Sequence, residues 1–217
     1  MCALHTDAEA LDFVRRRYRH LAGIYPLFNL VLALPPHVRA RAIDRLALKT
    51  GATVLEVGCG TGANLGLLEH AVGASGKVIG IDCSDAMLAR ASARCRKRRW
   101  DNVTLLAGDA AAMAIPSQVD GVLFSVSYTV MPNPQEALRR AWGSLRQNGS
   151  VVILDGRFPG GPSSRFTRWI VEKFMDMTVL GKLDRRPWKD LERFTSFIEV
   201  EELHFGYYIC RGAKSEA

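Results

Sequence analysis

The sequence predicts an α/β protein: a seven-stranded, mostly parallel sheet with one antiparallel strand, helices on both faces, and an N-terminal helical lid. Three observations predict it. Between residues 53 and 154, short apolar runs alternate with longer segments of helical period, the rhythm of parallel strands joined by crossover helices. After Asp155, two apolar runs at 198–203 and 205–210 are linked so closely that they must pair antiparallel. Before residue 50, Pro26 and Pro35-Pro36 break an aromatic-rich helical region into short pieces.

Taken in order, residues 8–48 read as helices, with Phe13, Tyr18, Leu21, Ile24 and Tyr25, then Phe28 and Leu32, at mixed spacings of three and four. So many breaks and so much aromatic surface suit a lid over a pocket. Pro36 starts the last piece, which carries Val38, Ile43, Leu46 and Leu48 toward Gly51. Strands follow at 53–57, 77–82, 102–106, 121–126 and 150–154, with helices at 63–72, 85–98 and 134–146. Ser84 reads as an N-cap with Met87 and Leu88 turning inward, and Asn148-Gly149 as the end of helix 134–146. Right-handed crossovers bring the ends of the early strands to one edge, where ligands bind in such sheets. Beyond the loop Gly160-Gly161-Pro162, residues 163–180 form an amphipathic helix that mixes Arg165, Arg168 and Lys173 with Trp169, Phe174 and Met175. Such a helix docks on the core or lies on a membrane surface.

A chain of 217 residues with 48% hydrophobic content can bury one core with a small appendage, and no linker, repeat or low-complexity tract divides it. The apolar run 30–34 is too short to span a bilayer, as is every other apolar run in the chain. Met1-Cys2-Ala3-Leu4-His5 lacks a basic segment followed by an apolar one, which predicts a cytoplasmic protein with peripheral membrane contact left open. Cys2, Cys59, Cys83, Cys95 and Cys210 are scattered and odd in number, which reads as reduced thiols. The five histidines are isolated from one another, and no metal is predicted. A net charge of +7 is concentrated in Arg15-Arg16-Arg17 with Arg19, and in the run Arg94–Arg99. Such clusters attract phosphates, but the second closes a helix, where basic groups complement the negative end of the macrodipole.

In Val54-Leu55-Glu56-Val57-Gly58-Cys59-Gly60-Thr61-Gly62 a strand becomes a glycine loop that opens a helix. Three glycines at alternate positions tolerate positive φ and let a ligand approach the backbone, while the helix start presents free N–H groups. Gly58-x-Gly60-x-x-Ala63 satisfies the dinucleotide fingerprint, and Asp82 stands near the distance at which an acid holds a ribose diol, so NAD is one reading. Glu56 inside the first strand and Asp109 after the third weigh against it. An acid beside the loop suits a ligand whose head carries an amino group and a sulfonium, the charge pattern of S-adenosylmethionine.

Through V-L-E-V-G-C-G-T-G (54–62), V-I-G-I-D-C-S (78–84) and G-D-A (108–110), nearly the whole chain resembles the class I S-adenosylmethionine-dependent methyltransferases. The resemblance implies a Rossmann-like fold with a helical lid at 1–50 and an S-adenosylmethionine-binding methyltransferase domain at 51–217. It also implies that Gly58, Cys59 and Gly60 pass under the methionine and ribose, that Asp82 accepts from both ribose hydroxyls, and that Cys83 and Met87 flank the adenine. Asp109 would accept from the adenine amino group and the Ala110 N–H would donate to a ring nitrogen; Gly62 and Ser125 complete the cofactor set. Glu56 would buttress the loop or reach the cofactor's amino group through water. An in-line methyl transfer draws its rate from positioning and desolvation, and no strong catalytic residue is required.

Upstream, Ala22, Tyr25, Asn29 and the basic helix Arg39-Ala40-Arg41 resemble the entry segment of ubiquinone and menaquinone C-methyltransferases, with Pro26 in place of that group's Asp; phospholipid N-methyltransferases and many natural-product enzymes share a similar tyrosine segment. Tyr18 and Tyr25, seven residues apart, fall on one helical face; either they orient the cofactor or acceptor, or they pack the lid on the sheet. In 124–134 the chain has Thr129 and Val130 where many relatives carry paired histidines, and lacks the Asn/Asp-Pro-Pro-Tyr/Phe tetrad of nucleic-acid amino methyltransferases. A small hydrophobic or lipid-like acceptor is expected: a quinol carbon, a phospholipid amine or a natural product. Basic residues in the lid, Arg165, Arg168 and Arg185-Arg186 suit an anionic membrane surface. An RNA-modifying enzyme, suggested by the positive charge, and a non-catalytic S-adenosylmethionine-binding domain are the alternatives.

Overall fold

A computed structural model describes residues 11–12, 15–16, 34, 36–156, 185–203 and 206–215. Twelve elements follow one another: α1 (Pro36–Asp44), β1 (Thr53–Val57), α2 (Leu65–Val72), β2 (Lys77–Asp82), α3 (Asp85–Arg98), β3 (Val103–Ala107), β4 (Val119–Ser125), α4 (Pro134–Ser144), β5 (Leu145–Gly156), α5 (Pro187–Leu191), β6 (Ile198–Glu202) and β7 (Tyr207–Ala213). Seven strands form one sheet in the order β3-β2-β1-β4-β5-β7-β6. Strands β1 to β5 are parallel, and β7 runs antiparallel to both β5 and β6, so one strand of the seven is reversed. The strand order turns back between β1 and β4, which opens a crevice at their carboxyl ends.

Alternation along the strands assigns each side chain to one of two cores. Leu55 and Val57 of β1, Val122 and Phe124 of β4, and Ile153 of β5 pack on the side covered by Ala137, Leu138 and Ala141 of α4. Val54, Leu123, Val152 and Leu154 pack on the opposite side, under Ala42 and Ile43 of α1 and Leu65 and Leu68 of α2. Slipping β1 by one residue would move every one of its side chains to the wrong face. Each fully buried aliphatic side chain contributes about 1.5–3 kcal/mol, so the apolar residues together outweigh the single acid among them. Glu56 is thereby forced onto the side of α1 and α2, where it is 1% exposed.

The bounds of β1, β2 and α3 are those the sequence predicts. Met87 and Leu88 are buried as expected, and Ser84 stands at the N-cap of α3 without a side-chain capping bond. The other bounds shift by a few residues, and two of the shifts have a local cause. Helix α2 begins at Leu65, because residues 61–64 are taken up by the turn that leaves the glycine loop. Asn148-Gly149 does not end α4, which stops at Ser144; it lies inside β5, a strand of 12 residues. There Asn148 takes φ 64°, and the Asn148 and Lys214 N–H groups reach Lys214 O and Gly149 O at 2.8 and 2.9 Å, extending the pairing with the last strand. The run Arg94–Arg99 is solvent-facing apart from half-buried Cys95 and closes α3 as a basic helix end.

No helix among the described residues is long and apolar enough to cross a membrane. Most of the lid at 1–50, including Tyr18 and Tyr25, and the helix expected at 163–180 lie outside the described residues.

Candidate functional site

The glycine loop sits at the crevice between β1 and β4. The N–H groups of Gly58 and Cys59 both donate to Ile81 O, at 2.8 and 3.0 Å, which bends the chain off β1 and over the end of β2. Gly58 has φ 75°, and a Cβ there would stand 2.5 Å from the Ser127 Cβ, so this position admits no side chain. Gly60, with φ 54°, differs: a Cβ there would meet nothing within 4 Å, which leaves its outer side open to the pocket. Asp82 joins this loop to the next element, accepting from the Gly60 N–H (2.8 Å) and the Ser84 N–H (2.9 Å). Burial raises its pKa, although both N–H bonds favour the charged form.

Glu56 is the buried acid of the site. Asn64 stands at the N-cap of α2, yet its side chain does not cap the helix. Instead Asn64 Nδ2 donates to Glu56 Oε1 at 2.6 Å, and Asn64 Oδ1 accepts from Arg39 Nη1 at 3.1 Å. The same Arg39 nitrogen donates to Ser125 Oγ at 3.3 Å. Glu56 Oε2 is buried with no hydrogen-bond partner. Desolvation pushes the Glu56 pKa up to about 7, opposed by the Asn64 bond and the Arg39 charge and reinforced by Asp82. An orphaned carboxylate oxygen in a pocket calls for a donor from a ligand, since leaving one unsatisfied costs about 1–3 kcal/mol or more.

On the β3 side, Asp109 Oδ1 accepts from the Ala111 N–H at 2.9 Å, and Gly108 N–H reaches Asp82 O at 3.0 Å, so the two acids flank one groove. Cys83, Met87 and Ala110 line it with them. Cys59 packs over the bare face of Gly80, where a Cβ would lie 2.9 Å from its sulfur. Burial raises the Cys59 thiol well above its ordinary pKa and pushes Cys83 up to about 12, so neither is a ready thiolate. Among the described residues, no three His, Cys, Asp or Glu side chains gather as a metal site.

Beyond β4 the backbone tightens. Val126 has φ 53°, an uncommon conformation for a β-branched residue, and its N–H donates to Leu154 O at 2.7 Å. Ser127 Oγ donates to Val57 O at 2.7 Å. Arg185, just before α5, donates from one nitrogen to the carbonyls of Tyr128, Thr129 and Met131 at 3.2, 3.1 and 2.7 Å. Buried Asp155 at the end of β5 accepts from the Thr129 N–H (3.0 Å) and Oγ1 (2.8 Å). Tyr128 donates to Asp190 at 2.7 Å.

One pocket thus gathers Glu56, Gly58, Cys59, Gly60, Asp82, Cys83, Met87, Asp109, Ala110 and Ser125. Gly62 is not among its lining residues; with φ 76° it packs against Leu65. Sequence reasoning did not single out Arg39 as a site residue, nor Thr61, Asn64 or Ser127, which also line it. The signal for Asn64 was its place two residues after the last loop glycine; for Arg39 it was the basic helix ahead of β1.

Fold and pocket together define an α/β protein of doubly wound type with a lined crevice at the β1–β4 switch point, where such folds hold their ligands. Residues 54–149 match the family described as a methyltransferase domain. The demethylmenaquinone methyltransferase of Lactococcus lactis is 30% identical over 201 residues, 88% of this chain and 79% of that protein. The 2-phytyl-1,4-naphthoquinone methyltransferase of Thermosynechococcus vestitus is 30% identical over 170 residues, 76% and 75% of the two chains. A SAM-dependent methyltransferase structure from Aquifex aeolicus superposes with a TM-score of 0.59 at 20% identity, covering 87% of this chain and 98% of that one. The chain belongs to the class I S-adenosylmethionine-dependent methyltransferases, related to the quinone C-methyltransferases. S-adenosylmethionine is its cofactor, and the residues present fit it: an unsatisfied carboxylate oxygen for an ammonium, and an open glycine face for a ribose.

Proposed function

We propose that the protein methylates a ring carbon of a naphthoquinol bearing a long apolar side chain. What carries this reading is the likeness to the Lactococcus demethylmenaquinone methyltransferase, which extends over 88% of the chain and so includes the acceptor side as well as the donor loop. When bound, the cofactor supplies a methyl group on a positively charged sulfur. The ring carbon of a reduced naphthoquinone is nucleophilic because two hydroxyls feed it electron density. Transfer would join that carbon's electron pair to the methyl, leave the carbon–sulfur pair on sulfur and release the ring proton to water.

Within this reading, Asp82 takes the ribose hydroxyls, Asp109 and the Ala110 N–H the adenine, and Cys83 and Met87 its two faces. Gly58, Cys59 and Gly60 lie under the methionine and ribose, with Ser125 beside them and Gly62 supporting the loop from behind. Glu56 Oε2 takes the cofactor ammonium. Val130, Met131 and Pro132, which line the pocket, supply an apolar, water-poor wall for the acceptor. Tyr18 and Tyr25 would orient the cofactor or the acceptor, and a peripheral approach to an anionic membrane would give access to an acceptor dissolved in lipid.

Purified protein incubated with labelled S-adenosylmethionine and a panel of acceptors tests this. The expected result is methylated naphthoquinone by mass spectrometry only when the quinone is kept reduced. Label in phosphatidylethanolamine or RNA, with none in the naphthoquinol, would overturn it.

A further inference from the structure

We infer that Arg39, on the helix preceding the first strand, is the residue that binds the carboxylate of the cofactor's methionine end. The charges of the pocket call for such a group. Its described lining holds three acids, Glu56, Asp82 and Asp109, and a single cation, Arg39. S-adenosylmethionine brings an ammonium, a sulfonium and a carboxylate. The acids suit the first two and the hydroxyls, but a carboxylate entering a site with three acids needs a guanidinium.

Arg39 is placed for this by the fold. It donates to Asn64 Oδ1 at 3.1 Å and to Ser125 Oγ at 3.3 Å, which sets it between the start of α2 and the end of β4. Asn64 in turn holds Glu56 Oε1, so the orphaned Oε2 and the guanidinium flank the same short arc of the loop. An α-amino acid head carries its ammonium and carboxylate on one carbon and demands an acid and a base at that spacing. The helix is anchored from behind: Arg41 pairs with Glu201, and Arg45 with Glu199 (3.1 Å) and Glu201 (2.7 Å) of β6. Those contacts, and buried Ala42 and Ile43, hold α1 in place while Arg39 points across the sheet end. Cofactor binding would then tie the region ahead of β1 directly to the donor.

This inference rests on the donor-pocket reading above, and two ligands separate the two. S-adenosylhomocysteine has both head groups; S-adenosyl-3-thiopropylamine keeps the ammonium and lacks the carboxylate. In calorimetry, the wild type should prefer S-adenosylhomocysteine by about tenfold or more, as expected for a charge-assisted bond. Arg39→Met should bind both ligands as weakly as the wild type binds the amine, and Arg39→Lys should regain part of the preference. A preference undiminished in Arg39→Met, or equal loss of both ligands in it and in Arg39→Lys, would overturn the inference. Asp82→Ala tests the underlying pocket: it should weaken both ligands and leave the preference unchanged. Unweakened binding there would sink the pocket reading whatever Arg39 does.

Discussion

Asn64 donates to one oxygen of Glu56 at 2.6 Å and leaves the other, buried beside the glycine loop, without a partner. The cofactor-free protein therefore carries an acid whose neutral form is favoured, with a pKa of about 7 against an ordinary 4.5. The folded state binds more protons than the unfolded state between those values, so stability falls as pH rises from about 4.5 to 7 and stays reduced above it. A shift of this size amounts to about 3 kcal/mol. Thermal unfolding of the cofactor-free protein should show this loss across pH 5–8. Glu56→Gln should flatten it, even though buried Asp82 and Asp155 shift in the same direction.

Cofactor affinity should follow the opposite course. An ammonium beside Glu56 requires the carboxylate, so binding releases a proton and tightens as pH rises through about 7. Calorimetry of S-adenosylhomocysteine in buffers of different ionisation enthalpy measures the proton directly. A pH-independent affinity in the wild type would count against a contact between Glu56 and the ligand.

The two loop glycines should fail differently. A methyl at Gly58 would collide with Ser127 at 2.5 Å, so Gly58→Ala should lower Tm steeply or prevent folding. Gly60→Ala meets no protein atom and costs about 1–2 kcal/mol of left-handed strain, yet its methyl enters the pocket. It should fold with a Tm a few degrees lower and lose cofactor affinity by about tenfold or more.

Val126 stores strain at the end of β4, of order 1–3 kcal/mol for a β-branched residue at φ 53°. Asn accepts that conformation. Val126→Asn should hold Tm level or raise it by about 2–4 °C, and a large fall would show that its packing under Leu154 matters more than its backbone.

Arg185 ties three carbonyls of the loop after β4 to the segment ahead of α5. Arg185→Ala should release that loop, lowering kcat/KM for the acceptor by about tenfold or more while S-adenosylhomocysteine affinity changes little. Equal loss of donor and acceptor binding would show general unfolding instead.

What could be read in the sequence was local. The strand at 53–57, the glycine loop, Asp82 and Asp109 each announce themselves through neighbours within a few residues, and the parallel sheet then brings them to one edge because crossovers share a hand. Asn148-Gly149 misled because that pair is a common helix stop or turn. Here its backbone pairing comes from Lys214, far along the chain. In the sequence Arg39 belongs to a basic helix that resembles the entry segment of the quinone enzymes and has no site role of its own, because its direction depends on how α1 lies across the sheet. Nothing near residue 39 encodes that. Asn64 was hidden for a related reason: at a helix start an Asn ordinarily caps, and only the tertiary structure diverts it to Glu56.

The alternation that puts Glu56 and Ser125 beneath α1 and Leu55 and Phe124 beneath α4 divides labour across the thickness of the sheet. On the inference that Arg39 grips the donor's head, that grip lies on the α1 side, while the aromatic packing on the other keeps the scaffold standing. Exchanging only the pocket-facing residues of α1, with buried Ala42 and Ile43 and the Arg41 and Arg45 ion pairs kept, would thus alter how the donor's head is gripped without asking the rest of the protein to refold around it.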